Sequence, residues 1–331
     1  MNKCDKMLLM TTLFLLSFVT TFIVTKFLIR QVPKTNFVGI DLHKKEKPKI
    51  PELGGISIVS GVVTSILFLI AVNSFATLKL IFNEELNVIY ILAVLGVILM
   101  TALVGLIDDI LGLRQRYKFL LPFLIALPLM AVKVTALHKF SIFGIEISPW
   151  IYELILIPIG ICAATNLTNT FAGFNGLEAG VGAVASFFLI LIGIQINNGY
   201  VIFLSTILLS SLLAFLFFNW YPSKIFPNDV GTLLIGAMIS SIVILGGIEI
   251  KGVILLLPHI IDFLFFKLPN KLPSRGWHGE LINGKLYCKG KPVHFAQFIM
   301  KVFNGIEERN LTLFFIGLEV IFGIIAILVR V

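Results

Sequence analysis

Residues 88–118, VIYILAVLGVILMTALVGLIDDILGLRQRYK, decide the fold. The part up to Ile107 carries no charge, and a bilayer core takes about 20 apolar residues to cross. The run then meets two adjacent carboxylates, Asp108 and Asp109, followed by Arg114, Arg116 and Lys118. Inserting an Asp at the centre of a span costs roughly 2.5–3.5 kcal/mol. A long apolar run closed by such a pair therefore reads as a membrane helix reaching water.

The remaining sequence repeats that pattern. The 331 residues are 58% hydrophobic and 13% charged, with a mean hydropathy of +1.01, against about 25% charged residues in globular domains. Apolar runs lie near 7–29, 56–72, 87–107, 117–134, 150–166, 179–196, 199–218, 230–248, 252–268 and 311–330. They predict an all-α polytopic membrane protein of about ten transmembrane helices, with residues 1–331 as one integral membrane domain. The first run is read as a retained span, because Lys26 and Arg30 follow it where a cleaved signal would end in small residues. Pro122 and Pro128 fall inside the fourth run, and a membrane helix tolerates them when neighbours satisfy the freed carbonyls.

Most of the 26 Lys and Arg residues fall in four loops on one side of this arrangement, 26–55, 108–118, 219–229 and 267–310. Positively charged loops stay in the cytoplasm, so these loops are expected there and both termini outside, in a multi-pass protein of the cell membrane. The net charge of +8 is then a topology signal and an attraction to anionic membrane lipids, not the footprint of a nucleic-acid partner. Cys4, Cys162 and Cys288 fall in different compartments, so no internal disulfide is expected. His138–Ser148 alternates around Phe143–Gly144, and Asn283–Gly284 separates two short runs in the long cytoplasmic loop 267–310. Both read as small β-hairpins.

The polar residues gather at cytoplasmic helix ends. Asp108, Asp109 and Lys118 form one group, where two carboxylates and a lysine suit a Mg²⁺–phosphate site unless they simply mark the water boundary. A second is NLTNTFAGFNGLEAG, 166–180, with Asn169, Gly173 and Asn175, for which an ordinary turn is the simpler account. A third is NWYPSKIFPNDVGT, 219–232, with Phe226 and Asp229, where Asp229 in isolation reads as a helix cap. A fourth is IPELGG, 50–55, with Glu52, and the fifth is Arg275 in PSRGWHGE, whose fork suits a diphosphate. Together, clusters on one membrane face favour one site over several coincidences. His259 and Asp262, i and i+3 inside the ninth run, share a helix face and are read first as local packing, with a role toward a lipid phosphate or proton as the alternative.

These clusters, in this order and over nearly the whole chain, resemble the polyprenyl-phosphate N-acetylhexosamine-1-phosphate transferase superfamily, which includes the MraY and WecA enzymes. IPE at 50–52, NTFAGFNGLEAG at 169–180 and NWYPSKIFPND at 219–229 are most similar to its archaeal and eukaryotic N-glycan branch. That branch uses UDP-GlcNAc and dolichyl phosphate. The resemblance implies transfer of GlcNAc-1-phosphate, or a related N-acetylhexosamine-1-phosphate, from a UDP-sugar to polyprenyl or dolichyl phosphate with release of UMP. It implies Mg²⁺, with Mn²⁺ as a substitute, held by Asn169 and Asp229. Lys118 and Arg275 would meet the diphosphate, and Asp108 and Asp109 would stand beside the metal. Phe226 would stack on uracil, with Leu42, Glu52, Gly173 and Asn175 around the uridine. A homodimer is implied by analogy alone. The chain departs from the family at Asn228, where Gly is usual, and at Pro273–Ser274–Arg275, where the eukaryotic branch has Arg-His-Arg. It carries only His278 and His294 where MraY enzymes have a His-rich motif. The competing readings are another UDP-sugar within the superfamily and, in a different class, a transporter or lipid flippase, which mid-membrane helix breaks would favour.

Overall fold

The computed structural model describes residues 3–75, 77–78, 86–113, 115–132, 134, 141–142, 145–271 and 279–329. Among these, eight helices are long and apolar enough to cross a membrane, and nine if one bent pair counts as a single span. The long helices are α1 (Lys3–Gln31), α2 (Gly55–Ser74), α3 (Val88–Leu111), α4 (Ile157–Thr170, the last part of the span Pro149–Thr170), α5 (Leu177–Gln195), α6 (Gly199–Asn219) and α7 (Asn228–Gly246). The bent pair follows as α8 (Glu249–Leu255) and α9 (Leu257–Ile261). A short α10 (Phe295–Val302) precedes the last span, α11 (Glu308–Leu328).

The expected fourth span is different in kind. Residues 117–134 do not form one helix but belong to short pieces, Gln115–Leu120, Pro122–Ile125 and Leu127–Met130. Each Pro lacks an N–H and clashes with the carbonyl four residues back, so the helix restarts at each one. The segment packs on α3, where a Cβ on Gly96 would lie 2.9 Å from Pro128 Cβ. The ninth span bends by 64° between α8 and α9, immediately before Pro258, for the same reason.

Helix α7 is the axis of the bundle, with every residue from Val230 to Leu245 buried. Small residues bring its start close to its neighbours. A Cβ on Gly55 of α2 would sit 2.2 Å from Gly231 N, and one on Gly105 of α3 would sit 2.6 Å from Val230 Cα. Such contacts are how helices associate in lipid, where no hydrophobic force drives them together. Between α1 and its neighbours the contacts include hydroxyl hydrogen bonds, Ser17 with Ser211 and Thr25 with Ser57. Outward-facing Leu15, Ile23 and Phe27 of α1 and Leu328 of α11 are exposed, as lipid-facing side chains should be.

Among the described residues, three two-stranded antiparallel ribbons occupy loops. The pairing of β3 (Ser141–Ile142) with β4 (Ile145–Glu146), and of β5 (Glu280–Ile282) with β6 (Lys285–Tyr287), follows the expected hairpins. Asn283 and Gly284 both take positive φ, 49° and 80°, the signature of the tight turn that Asn-Gly favours. The ribbon of β1 (Val38–Ile40) with β2 (Lys49–Pro51) was not expected from sequence. It folds the first loop back over the helix ends and presents Asp41–His43 and Glu52 to the interior.

Candidate active site

A cavity of about 500 Å³ opens where the ends of α3, α4 and α7 meet the 38–54 and 219–227 loops. Leu42, Glu52, Lys118, Asn169, Gly173, Asn175, Phe226 and Asp229 all line it. Segments separated by up to 187 positions in the chain thus reach one volume. Asp108 and Asp109 stand directly behind the wall. Arg275 lies outside the described residues.

The acidic group is tightly organised. Lys118 Nζ lies 2.7 Å from Asp108 Oδ2 and 3.1 Å from Asp229 Oδ2. Burial alone would lower the lysine's pKa, but the Asp229 and Asp108 carboxylates outweigh it and hold the ammonium above its ordinary 10.5. Asp109 Oδ1 accepts the backbone N–H of Asp229 at 3.1 Å. Helix α7 is therefore capped from a neighbouring helix, and the Asp229 carboxylate is left facing Lys118. A cap reading of Asp229, natural from sequence alone, does not describe this end of α7. Asn169 Oδ1 accepts from Thr232 Oγ1 at 3.1 Å, one turn along α7 from Asp229. Burial also pushes the Glu52 carboxyl above its ordinary 4.5, against a hydrogen bond from Asn228, and the Asp229 charge adds to the rise.

Backbone bonds lock the loops that carry these groups. Phe226 N donates to Pro51 O, Gly54 N to Phe226 O, and Gly55 N to Pro227 O, at 2.9–3.0 Å. The Asn175 side chain is spent within the protein. Its Nδ2 donates to Glu308 and to Asp41 Oδ2, and its Oδ1 accepts from Ser223 N at 2.7 Å. Gly173 N donates to the buried Glu178 carboxylate.

Glu308, at the start of α11, is the hub of this wall. It accepts from Asn175 N at 2.8 Å and pairs with His43 Nδ1 at 3.2 Å and Lys44 Nζ at 2.5 Å. Lys44 also lies 3.3 Å from Asp41 and 3.8 Å from the centre of the Tyr221 ring. Sequence reading missed Asp41, His43 and Glu308, because a charge at a span boundary looks like an ordinary topology mark. The one available signal was that Asp41 and His43 flank Leu42.

Two groups have the donors for a divalent ion. The buried Asp41, His43 and Glu308 place ligand atoms within 4.8 Å of one another, so this cluster could coordinate one. Lys44 meets part of its charge, as Lys118 does for Asp108 and Asp229. The set of Asp108, Asp109, Asp229 and Asn169 is all hard oxygen, the donor type Mg²⁺ selects. There Asp109 Oδ2 is buried with no hydrogen-bond partner among the described residues. An orphaned carboxylate oxygen is costly unless something binds it, so the donor chemistry of this second set also fits Mg²⁺.

The fold and the site thus define a polytopic membrane protein with an acidic, lysine-bearing cavity at one end of its helix bundle. Residues 90–247 match the model of glycosyl transferase family 4. A protein of Saccharolobus solfataricus, provisionally named a UDP-N-acetylglucosamine–dolichyl-phosphate N-acetylglucosaminephosphotransferase, is 33% identical over 96% of this chain and 95% of its own length. The Dictyostelium discoideum enzyme bearing that name without qualification is 29% identical over 70% of this chain and 65% of its own. A phospho-N-acetylmuramoyl-pentapeptide-transferase of Dictyoglomus turgidum is 27% identical over 84% of this chain and 92% of its own. The chain belongs to glycosyl transferase family 4, within the MraY/WecA-like superfamily of polyprenyl-phosphate sugar-1-phosphate transferases.

Proposed function

We propose that this protein transfers GlcNAc-1-phosphate, or a closely related N-acetylhexosamine-1-phosphate, from a UDP-sugar to dolichyl or polyprenyl phosphate, releasing UMP. This would be the first membrane step of a glycan assembly of the N-glycan kind, with the cavity facing the cytoplasm and both termini outside. The archaeal relative's name carries the sugar and the lipid. The observation that carries the chemistry is Lys118 bridging Asp108 and Asp229 at a cavity that also presents Asn169, Glu52 and Phe226.

In the reaction a lipid-phosphate oxygen attacks the β-phosphorus of the UDP-sugar. A new P–O bond forms, the bond to the α–β bridging oxygen breaks, and its electron pair leaves with UMP. A phosphate monoester has a second pKa of about 6, so the nucleophile is largely ionised near neutrality. The barrier is chiefly the approach of two anions, and catalysis is positioning plus charge neutralisation. Lys118 places a full positive charge at the cavity wall and is kept charged by its two carboxylates. Phe226 offers an aromatic surface for uracil, and the backbone-locked 50–55 and 226–227 segments fix its position. Asp229 and Asn169, with Asp108 and Asp109 beside them, would hold a Mg²⁺ ion, which supplies charge neutralisation to the diphosphate when bound.

The test is a reconstituted assay with purified protein, UDP-GlcNAc and polyprenyl phosphate. Stoichiometric UMP and lipid-linked product are expected, and no UMP without the lipid. Movement of a lipid or nucleotide across vesicles with no UMP release would favour a transporter and overturn the reading.

A further inference from the structure

Lys267 lines the same cavity as Lys118. It ends the π-helical turn Asp262–Lys267 beyond the bend of the ninth span. Its side chain is buried, and among the described residues its ion pair is with Asp262, Nζ to Oδ2 at 3.5 Å. That is longer than the roughly 2.7–3.2 Å of a well-formed N–H···O bond, and Asp262 Oδ2 has no hydrogen-bond partner among the described residues. The other oxygen, Oδ1, is committed elsewhere: it accepts from Phe295 N at 2.6 Å and lies 3.4 Å from His294 Nδ1. A desolvated ammonium with three donors and, among the described residues, one loose partner is expensive to keep. A structural counter-ion would be expected to sit closer.

The surroundings indicate what it is kept for. Lys118 is engaged by two carboxylates, whereas Lys267 meets one at longer range. The same turn exposes Leu264, Phe265 and Leu268 on its outer side. Lys267 therefore stands where the polar cavity borders an apolar, lipid-facing surface. An anionic group carried on a lipid tail can reach such a border from the membrane side.

We infer that Lys267 binds the phosphate of the lipid-borne acceptor and holds the attacking oxygen on the membrane side of the cavity, with Asp262 as its positioning residue. The inference rests on the transferase reading above. A phosphate oxyanion at this lysine could belong to the lipid or to the nucleotide diphosphate, and the experiment separates the two.

The full chain in phosphatidylcholine nanodiscs is compared with Lys267→Arg and with the charge-neutral pair Lys267→Gln/Asp262→Asn, which leaves no buried carboxylate unpaired. Losing one charge-assisted hydrogen bond should raise the KM for polyprenyl phosphate about tenfold to a hundredfold, with the KM for UDP-GlcNAc unchanged. Lys267→Arg should recover most of the loss. An unchanged lipid KM in the folded pair would reduce Lys267 to a counter-ion for Asp262. A rise confined to UDP-GlcNAc would give the lysine to the diphosphate. Either result overturns the inference. A second measurement needs no turnover: native mass spectrometry of the detergent-solubilised chain with polyprenyl phosphate and the matching polyprenol. Preference for the phosphate in the wild type, lost in the pair, supports the site even if the transfer assay fails. Absence of that preference in the wild type overturns the site even if transfer occurs.

Discussion

Asp229 is the residue on which the metal assignment turns. Its backbone N–H is satisfied by Asp109 and its carboxylate by Lys118, so Asp229→Asn removes charge without removing a helix cap. We expect a folded protein whose turnover falls about 10²–10³-fold, the loss typical of one strong electrostatic contributor. Activity at limiting Mg²⁺ equal to wild type would dissociate Asp229 from the ion. Asn169→Ala should be milder and partly rescued by raised Mg²⁺, since a neutral amide oxygen contributes less than a carboxylate. Glu52 gives a pH test. Its carboxyl titrates above 4.5 in the folded protein, so the folded state binds its proton more tightly than the unfolded chain does. That contribution to stability is fully present below the unfolded pKa and fades as pH rises through the folded value. Glu52→Gln should therefore raise Tm relative to wild type at pH 7.5, with the gap closing near pH 4. A constant gap at both pH values would show that Glu52 is not the cause.

At the scale of elements, the site exists because α2, α3 and α7 meet through glycine. A Cβ on Gly55 would strike backbone on every side, Gly231 N at 2.2 Å and Gly231 Cα and Pro227 O at 2.7 Å. None of these is a side chain that can turn away. Gly55→Ala should cost about 1–3 kcal/mol, the usual penalty for overpacking, and should lower activity by shifting Asp229 relative to Asn169. Gly160→Ala and Gly317→Ala are the controls, because a Cβ there meets nothing within 4 Å. They should leave Tm and turnover unchanged or raise Tm slightly. Equal loss in all three variants would show that close approach at Gly55 does not set the effect, because helix propensity favours Ala at each position. The proline breaks act at the same scale. They turn one expected span into short pieces and bend another by 64°, and the bent span carries Lys267 to the cavity wall.

For the whole molecule, the distribution of charge supplies the expectation for which side of the membrane the cavity faces. The loops bearing most of the Lys and Arg residues each contribute to the cavity or the groups behind it, so the positive-inside rule supports our proposal that the site faces the cytoplasm. Asn283→Cys, in a chain with Cys4 and Cys288 changed to Ser, should react with an impermeant thiol reagent only after the membrane is opened. Labelling in intact cells would reverse the orientation of the site. Much of this protein was legible in its sequence. The apolar runs predicted the long helices, and Asn283–Gly284 predicted its hairpin, because transfer free energy and turn geometry act on residues adjacent in the chain. The polar clusters at 50–55, 108–118, 166–180 and 219–232 also marked the residues that line or back the cavity. Only tertiary structure brought His43, Lys44 and Asn175 to Glu308 and capped α7 with Asp109 in place of Asp229. It alone brought Lys267 to the cavity beside an apolar face and divided residues 117–134 into short helices packed on α3. The capping of α7 depends on α3 approaching it through Gly105, and no local pattern of hydrophobicity encodes which helices will touch.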